Sequence, residues 1–271
     1  FTGLLASSVW DLGDGTMVSN AYVLWHSYTS TGRYDVVLRA ANQDGVVTAA
    51  ASVLVRAEAV VHVAMSGNDA HDGLSWAFPK LTIQAAIDVC PSGGVVLVTN
   101  GTYGLGGRVA GGALTNRVLV ERGIAVRSVN GPAVTFISGR RATNAPGYAD
   151  AARGVYLAAG TSLTGFTVTN GWTLATNSPA GDGCGGGVWC ESAEAVLSNC
   201  IVVANHASTF GGGVYGGLLR SCVLAANVAS NAGGGAAASR LVNCSVLGNS
   251  ALQGGGTISA TNLNTILYYN A

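Results

Sequence analysis

The stretch "NCIVVANHASTFGGGVYG", residues 199–216, decides the fold of most of this chain because its pattern returns at a fixed interval. A cysteine, a short mostly aliphatic run and an asparagine begin at Cys200, and the same arrangement begins again at Cys222 and Cys244, 22 residues apart each time. A related copy ends at Asn270, after 21 residues. Glycine triplets recur with the same interval, at 185–187, 211–213, 233–235 and 254–256. A fixed period of this length indicates a solenoid, in which stacked coils bury what a single coil exposes.

The apolar blocks within each repeat predict strands. Their residues are β-branched or small, run for a few positions and end in asparagine or glycine, as strands closed by tight corners do. The leucine-rich repeat is the main alternative, because Leu197, Cys200, Val202 and Asn205 are spaced as in the first half of that repeat. The second half should add leucines, whereas here it holds glycine, alanine, serine and threonine. We therefore predict a right-handed parallel β-helix over residues 58–271, with regular coils of about 22 residues over 183–271.

Stacked coils predict two inward-facing columns of side chains. Equivalent residues of adjacent coils lie about 4.8 Å apart, which aligns cysteines in one column and asparagines in another. We interpret the cysteines as small apolar core residues and the asparagines as groups that pass hydrogen bonds between successive corners. Two further cysteines flank a glycine triplet, and this pair, Cys184 and Cys190, is our candidate for a disulfide. The members of the columns are Cys200, Cys222 and Cys244, and Asn205, Asn227, Asn249 and Asn270.

Charge is scarce and balanced. The chain has 13 basic and 13 acidic residues, and 40 of its 271 residues are glycine. A net charge near zero disfavours a nucleic-acid partner, since phosphate binding requires a basic surface. The sequence contains no apolar run of the roughly 18 residues that a transmembrane helix requires.

Residues 1–57 have a different pattern, in which alternating blocks are separated by Asp-Gly and Thr-Gly turns, and this predicts antiparallel strands. The segment resembles a PKD domain, an immunoglobulin-like β-sandwich, through the motif WDLGDGT at 10–16, the pair His26 and Tyr28, and the alternation at 32–38. The resemblance implies that Asp11 and Asp14 fix a turn. The first strand of such a domain is largely missing, so we expect the chain to be part of a longer protein.

Residues 61–103 resemble the opening segment of right-handed β-helix proteins of the pectin-lyase-like class. The shared features are Gly67, Asp69, Gly73, Ser75 and Trp76, the run Thr-Ile-Gln-x-Ala-Ile at 82–87, a Gly-Gly pair at 93–94 and Gly-Thr-Tyr at 101–103. The resemblance predicts a helix near residues 81–89, whose apolar stripe of Ile83, Ala86 and Ile87 caps the first coil. Residues 183–271 also resemble the Gly-Gly-x and Asn-rich repeats of polymorphic outer-membrane and autotransporter passengers.

Carboxylates that could act as ligands or catalysts are few. Asp69, His71 and Asp72 are a weak candidate for calcium, but Asp-Gly turns explain them more simply, and we predict no cofactor. Enzymes of the β-helix class use clustered carboxylates and a basic residue on polysaccharide, whereas residues 183–271 contain only two acids, Glu191 and Glu194. We therefore favour a non-catalytic role. The residues that would act if the chain is an enzyme are Asp150, Arg153, Asp182 and Glu191.

Two insertions interrupt the coils. One spans 139–154, and the other spans 171–183, where 13 residues account for the interval of 35 between Asn170 and Asn205. Long loops on a solenoid often gather on a binding face, and these loops supply guanidinium and aromatic groups suited to an anionic glycan. Packing of the same aromatics against the coils is an equal alternative. The candidate ligand-binding residues are Arg140, Arg141, Tyr148, Trp172 and Trp189.

These features together predict an extracellular or cell-surface structural and adhesive module, whose partner is a polysaccharide or another cell-surface component. The alternative is a secreted polysaccharide lyase, hydrolase or epimerase, since PKD modules often accompany secreted carbohydrate-active enzymes. A second alternative is a filament subunit that self-associates along the solenoid axis through exposed strand edges.

Overall fold

The computed structural model describes residues 5–55, 57–143, 150–175 and 181–271, and the chain divides into two compact units, 1–58 and 59–271. The first unit is built on a four-stranded antiparallel sheet in which β1 lies between β2 and β3. Its strands are β1 (Ser7–Asp11), β2 (Met17–Ser19), β3 (Gly32–Asn42) and β4 (Gly45–Val55). The last two strands form a long hairpin that pairs Gly32 with Val55 at its open end.

The motif at residues 10–16 forms the turn between β1 and β2. The Asp11 carboxylate accepts a hydrogen bond from the Gly13 N–H (3.1 Å), and the Asp14 carboxylate accepts one from the Thr16 N–H (3.0 Å). The second Asp14 oxygen lies 2.7 Å from His26 Nε2. This hydrogen bond is the largest of the effects that hold the pKa of Asp14 below its ordinary value of 3.8. Both aspartates therefore fix the turn, as short acidic side chains commonly do.

The second unit is a parallel β-helix whose strands stack into three long sheets and one short sheet. Sheet 1 consists of β5 (Val60–Val63), β6 (Val95–Val98), β10 (Ala125–Ser128), β13 (Ser162–Thr164), β16 (Val196–Ser198), β20 (Leu218–Arg220), β24 (Arg240–Val242) and β28 (Thr261–Leu263). Sheet 2 consists of β7 (Gly101–Tyr103), β11 (Thr135–Ser138), β14 (Thr167–Thr169), β17 (Ile201–Val203), β21 (Val223–Ala225), β25 (Ser245–Leu247) and β29 (Ile266–Tyr268).

The remaining strands complete each coil. Sheet 3 consists of β8 (Arg108–Val109), β9 (Thr115–Val120), β12 (Ala152–Leu157), β15 (Val188–Cys190), β19 (Val214–Tyr215), β23 (Ala236–Ala237) and β27 (Thr257–Ile258). Sheet 4 consists of β18 (His206–Ala207), β22 (Val228–Ala232) and β26 (Ser250–Gln253). The strand β8 pairs with β9 in the antiparallel sense, and successive coils pair in parallel. The fold is thus nearly all β, as the repeat pattern predicts.

The helix α1 (Ile83–Val89) packs against the first coils. Its N-cap is Thr82, whose hydroxyl oxygen accepts a hydrogen bond from the Ala85 N–H at 3.2 Å. The apolar stripe of Ile83, Ala86 and Ile87 is buried, with at most 2% of each residue exposed. This burial agrees with the predicted capping role, because it covers apolar surface that an uncovered first coil would expose.

The asparagine column links four coils through the interior. Each side-chain amide donates to the oxygen of the next: Asn205 to Asn227 at 3.0 Å, Asn227 to Asn249 at 2.9 Å and Asn249 to Asn270 at 2.9 Å. Each of those oxygens also accepts the backbone N–H of the preceding asparagine. The amide of Asn227 donates in addition to the Val202 carbonyl at 2.9 Å. Asn205, Asn227 and Asn249 are buried, and this pairing supplies the hydrogen bonds that buried polar groups require.

The interval of 35 residues aligns Asn170 with Asn205, but the structure offsets this coil by one residue from that alignment. Strand pairing places Thr167 opposite Ile201, which makes Asn170 the equivalent of Ala204 and not of Asn205. Both corner residues have a φ of 55°, a left-handed conformation that asparagine adopts readily. The predicted alignment was wrong because this coil uses asparagine at its corner. The ladder position falls on the following glycine, whose N–H donates to the Asn205 side-chain oxygen at 2.8 Å.

None of the six cysteines forms a disulfide and all six are buried, so the candidate disulfide between Cys184 and Cys190 is wrong. The Cys184 sulfur lies 3.1 Å from the Thr209 hydroxyl oxygen, whereas the Cys190 sulfur packs against Gly217 of the next coil. The two thiols therefore have different neighbours. In the cysteine column, the Cys222 thiol donates to the Arg220 carbonyl at 3.3 Å, as a small core residue with a weak donor can.

Candidate functional site

Both insertions connect sheet 2 to sheet 3. Loop 139–154 joins β11 to β12, and it is closed at its base by Arg140 and Ala152, whose backbone groups exchange two hydrogen bonds of 2.9 Å. Loop 171–183 joins β14 to β15. The candidate residue Tyr148 lies outside the described residues, which exclude 144–149 and 176–180.

An aromatic and cationic stack lies where the two loops begin. The Arg141 guanidinium carbon is 5.1 Å from the ring centroid of Trp172, within the range of a cation–π interaction. The indole stacks on His206 of β18, with 4.1 Å between ring centroids and 16° between planes. Burial, reinforced by the charge of Arg141, lowers the pKa of His206 below 6.5, so the imidazole is neutral at pH 7. We call Arg141, Trp172 and His206 the Trp172 stack.

Trp189, the other candidate tryptophan, belongs to a contact group on sheet 3. It stacks on Tyr156 with 4.7 Å between ring centroids and 27° between planes. The guanidinium carbon of Arg153 lies 6.0 Å from its ring centroid. Its partners are thus residues of the coil, which corresponds to the packing alternative for this aromatic side chain.

Arg153 is a buried cation that anchors loop 171–183. Its guanidinium donates to the carbonyls of Gly181 (3.0 Å), Cys184 (2.9 Å) and Gly185 (3.0 Å). It also donates to the Asn116 side-chain oxygen at 2.7 Å. Burial lowers the pKa of Arg153 to about 10, an effect that the nearby charge of Asp182 opposes. Because a buried charge requires this many partners, the arrangement commits the side chain to holding the loop.

The three candidate acids each bind a different stretch of backbone. The Asp150 carboxylate accepts hydrogen bonds from the N–H and hydroxyl of Thr143, and the hydroxyl bond is the largest cause of the lowered pKa of Asp150. The Asp182 carboxylate accepts from the Ala113 N–H at 2.7 Å. The Glu191 carboxylate accepts from the Ala159 N–H at 3.0 Å. Arg153 and Asp182 are the two catalytic candidates that the structure brings near one another.

The weak calcium candidate at 69–72 is a set of backbone contacts. One carboxylate oxygen of Asp69 accepts the N–H groups of Leu81 and Thr82, at 2.9 and 2.8 Å. Asp72 accepts the Leu74 N–H at 2.9 Å. Within the described ranges, no group of three or more His, Cys, Asp or Glu converges as metal ligands would.

The corner between sheets 3 and 1 shortens abruptly along the helix, a feature that the sequence analysis missed. Five residues separate the in-register positions Tyr156 and Ser162, and six separate Trp189 and Val196. Two residues separate Tyr215 and the next position in sheet 1, and the corners of the later coils also hold two. The segment 190–195 therefore overhangs the coils that follow. The signal in the sequence is the contrast of CESAEA with the corners GG, AS and SA.

Below this overhang lies a depression of about 350 Å³, and Tyr215 connects it with a second depression of about 170 Å³. The larger part includes the charged residues Glu191 and Arg240, whereas the smaller part includes Phe210 and Ile258. We call the two together the corner groove. Its principal side chains are Glu191, Ser192, Phe210, Tyr215, Arg240 and Thr261.

Residues 2–57 match the family model of the PKD domain. The chain therefore carries a PKD domain followed by a parallel β-helix. No curated protein matches the sequence. In the described residues, no helix has both the length and the apolar character needed to cross a membrane.

Solved structures with a similar β-helix include two lyases. Pectate lyase Pel9A is 17% identical, with a TM-score of 0.48, over 71% of this chain and 49% of that enzyme. The alginate lyase from Paenibacillus sp. str. FPU-7 is 11% identical, with a TM-score of 0.38, over 76% of this chain and 66% of that enzyme. This chain thus spans about half the length of the pectate lyase.

Proposed function

We propose that the chain is a structural and adhesive β-helix module of the extracellular space or the cell surface, and that it binds glycans through loops 139–154 and 171–183. The observation that carries this proposal is the Trp172 stack, in which the exposed Arg141 guanidinium lies over an indole. A guanidinium pairs with the carboxylate or sulfate groups of a glycan, and the indole holds this guanidinium in place through the cation–π contact. The predicted ligand is an anionic glycan.

The β-helix supplies the rigid frame that such a site requires. His206 of the Trp172 stack follows Asn205, whose amide is bonded to the next coil, so the stack rests on the asparagine column. Loop 171–183, which carries Trp172, is also held at its far end by Arg153 and its carbonyl partners. Binding residues whose positions are fixed by supporting hydrogen bonds lose less conformational entropy on binding.

Polysaccharide cleavage is the alternative function. The observation in its favour is the pair of Arg153, with its pKa lowered to about 10, and the neighbouring Asp182, because perturbed groups cluster at functional sites. The three carbonyls that Arg153 binds favour the anchoring role. Both functions predict contact with polysaccharide, and they differ in whether bonds are cut.

The test measures binding and cleavage in one set of samples. The 271-residue chain is mixed with immobilised anionic and neutral polysaccharides, with and without calcium, and soluble products are analysed for new chain ends by mass spectrometry. We expect retention on an anionic polysaccharide, no new ends, and loss of retention in Trp172→Ala and Arg141→Ala.

The matched control is Trp76→Ala, because Trp76 also contacts a histidine ring, that of His62, at 4.4 Å between centroids. It should leave retention unchanged. New chain ends, unsaturated or reducing, would contradict the adhesive proposal and support the enzymatic one. Equal retention of Trp172→Ala and wild type would show that the glycan does not bind at the Trp172 stack. Sedimentation at several concentrations tests the remaining alternative, self-association along the solenoid axis.

A further inference from the structure

The corner groove has the composition of a sugar site and a different charge from the Trp172 stack. We propose that the corner groove binds a neutral oligosaccharide, with Tyr215 as the stacking surface and Glu191 and Arg240 as hydrogen-bonding arms. This site lies at the corner between sheets 3 and 1, whereas the insertions connect sheets 2 and 3. The inference is therefore independent of the proposed function.

The first step of the argument concerns the tyrosine ring. Strand register places Tyr156, Trp189 and Tyr215 at equivalent positions of three successive coils, and Ala237 occupies the position in the coil after them. The column of large aromatic side chains therefore ends at Tyr215, beside a residue whose side chain is a single methyl group. Because Tyr215 lines both depressions, its ring is the surface that a ligand crossing the groove would meet. Aromatic rings offer a large, rigid contact area at low entropic cost.

The second step concerns the polar side chains of the larger depression. One oxygen of the Glu191 carboxylate accepts the Ala159 N–H, which fixes the group in place while the other oxygen can accept from a sugar hydroxyl. Arg240 is exposed and supplies up to five donors. Burial raises the pKa of Tyr215 above 10.0, so its hydroxyl remains a donor at neutral pH. Ser192 and Thr261 add hydroxyl groups that can donate or accept.

The third step concerns charge. The ionisable side chains of the larger depression with a formal charge at pH 7 are one carboxylate, Glu191, and one guanidinium, Arg240. Their charges cancel, and the carboxylate would repel an acidic sugar next to it. Sugar hydroxyl groups, by contrast, need both donors and acceptors, which this pair provides. The groove therefore favours a neutral sugar, whereas the three residues of the Trp172 stack include one cation, Arg141, and no carboxylate.

The experiment is calorimetric titration of the 271-residue chain with single oligosaccharides. The neutral probes are cellohexaose, mannohexaose, xylohexaose, laminarihexaose and maltohexaose, and the anionic probes are hexamers of galacturonate and mannuronate. We expect at least one neutral probe to bind, and we expect Tyr215→Ala and Arg240→Ala each to weaken its affinity by about tenfold or more. Tyr215→Phe retains the ring and should lose less than about threefold.

Each variant has a matched control within the same fold. Tyr156→Ala removes a tyrosine of the same column that does not line the groove, and Arg220→Ala removes an exposed arginine of sheet 1 outside it. Both controls should bind the neutral probe with an affinity within about twofold of wild type. Trp172→Ala should also leave it unchanged, which separates this result from a failure of the proposed function.

Three results would overturn the inference. They are an absence of binding by every neutral probe, a preference of the corner groove for the anionic hexamers, and an affinity for the neutral probe that survives both Tyr215→Ala and Arg240→Ala. Circular dichroism checks that Tyr215→Ala is folded. If it is not, Arg240→Ala and its control Arg220→Ala decide the question, because both positions are exposed.

Discussion

The two units of the chain are built from strands, yet they bury their residues to very different degrees. Among the described residues of the first unit, Ser8 and Leu12 are the fully buried ones, and ten of the 11 residues of β4 are exposed. In the second unit, a continuous core extends from Val61 to Val246. The first unit is stabilised by local pairing and turn contacts, whereas each coil of the second is stabilised by contact with the next.

Because of this difference, the same substitution should change the free energy of unfolding by different amounts in the two units. In an antiparallel hairpin, a small added group finds solvent on one face of the sheet. In the β-helix, the backbone of one coil lies directly against the next, so that a methyl group at some glycines has no space. Replacing a tightly packed glycine of the second unit by alanine should therefore destabilise that unit far more than the same replacement destabilises the first.

The largest effect is expected for Gly212→Ala. A Cβ at this position would overlap the Val228 carbonyl and lie 2.6 Å from the Gly234 oxygen, and both are backbone atoms that cannot move aside cheaply. We expect the free energy of unfolding of the β-helix to fall by about 3 kcal/mol or more. Urea denaturation combined with hydrogen exchange, read by mass spectrometry for each unit separately, measures the change.

The control for this prediction is Gly32→Ala in the first unit. A Cβ there would lie 3.8 Å from the Tyr34 ring, an ordinary van der Waals contact. Its effect should be within about 0.5 kcal/mol. Equal losses from the two substitutions would contradict the contrast between the units.

A smaller effect within the second unit is expected for Asn227→Ala. The substitution leaves the Asn205 N–H and amide and the Val202 carbonyl without their buried partner. We expect a loss of about 2 to 4 kcal/mol, because unpaired buried polar groups are costly. Thermal and urea unfolding of the variant, compared with wild type, measures it.

Asn270→Ala sharpens this test because Asn270 belongs to the same column and is only half-buried. Water can replace some of its hydrogen bonds, so the loss should be about 1 kcal/mol. A loss at Asn270 as large as that at Asn227 would show that burial does not set the strength of the column.

The smallest effect is expected in the first unit, on its response to pH. The folded-state pKa of Asp14 lies below its ordinary value of 3.8, chiefly because of the hydrogen bond with His26. The stabilisation is therefore fully present above pH 3.8 and is lost as the pH falls through the folded pKa. Asp14→Asn should flatten the acid-side slope of stability for the first unit and leave that of the second unchanged.

The same titration of His26→Ala serves as a second arm, since it removes the partner and keeps the carboxylate. It should reproduce part of the flattening. High salt should reduce the effect, because the pair is near the surface. An identical acid-side slope in wild type and both variants would show that Asp14 does not contribute to the pH dependence of the first unit's stability.

Much of the fold follows from patterns that repeat along the chain. The spacing of Cys200, Cys222 and Cys244 predicts coils, and the short blocks between them predict strands. The capping helix is instead implied by the resemblance of residues 61–103 to the opening segment of right-handed β-helix proteins. The coils and strands were accessible because a solenoid makes equivalent contacts at each turn, so the sequence repeats where the structure repeats.

The candidate sites were harder to predict from the sequence, because they depend on differences between coils and the repeat pattern does not record those differences. Arg153 was assigned among possible catalytic residues, and its anchoring carbonyls come from residues about thirty positions away that carry no recognisable motif. The corner groove arises from a shortening between two coils, which no single motif records. The alignment of Asn170 with Asn205 was wrong because asparagine occupies the left-handed corner position in one coil and the hydrogen-bonded column in the others.

The sequence by itself determined the β-helix, the glycine corners and the columns of cysteine and asparagine, because regular stacking demands the same residue types at a constant interval. Only the tertiary structure decided which loops meet, which charges are buried and where a groove opens. Those features depend on differences between coils. The contacts of Trp172 with His206 and the position of Tyr215 beside Ala237 exist because successive coils differ in length and side-chain size.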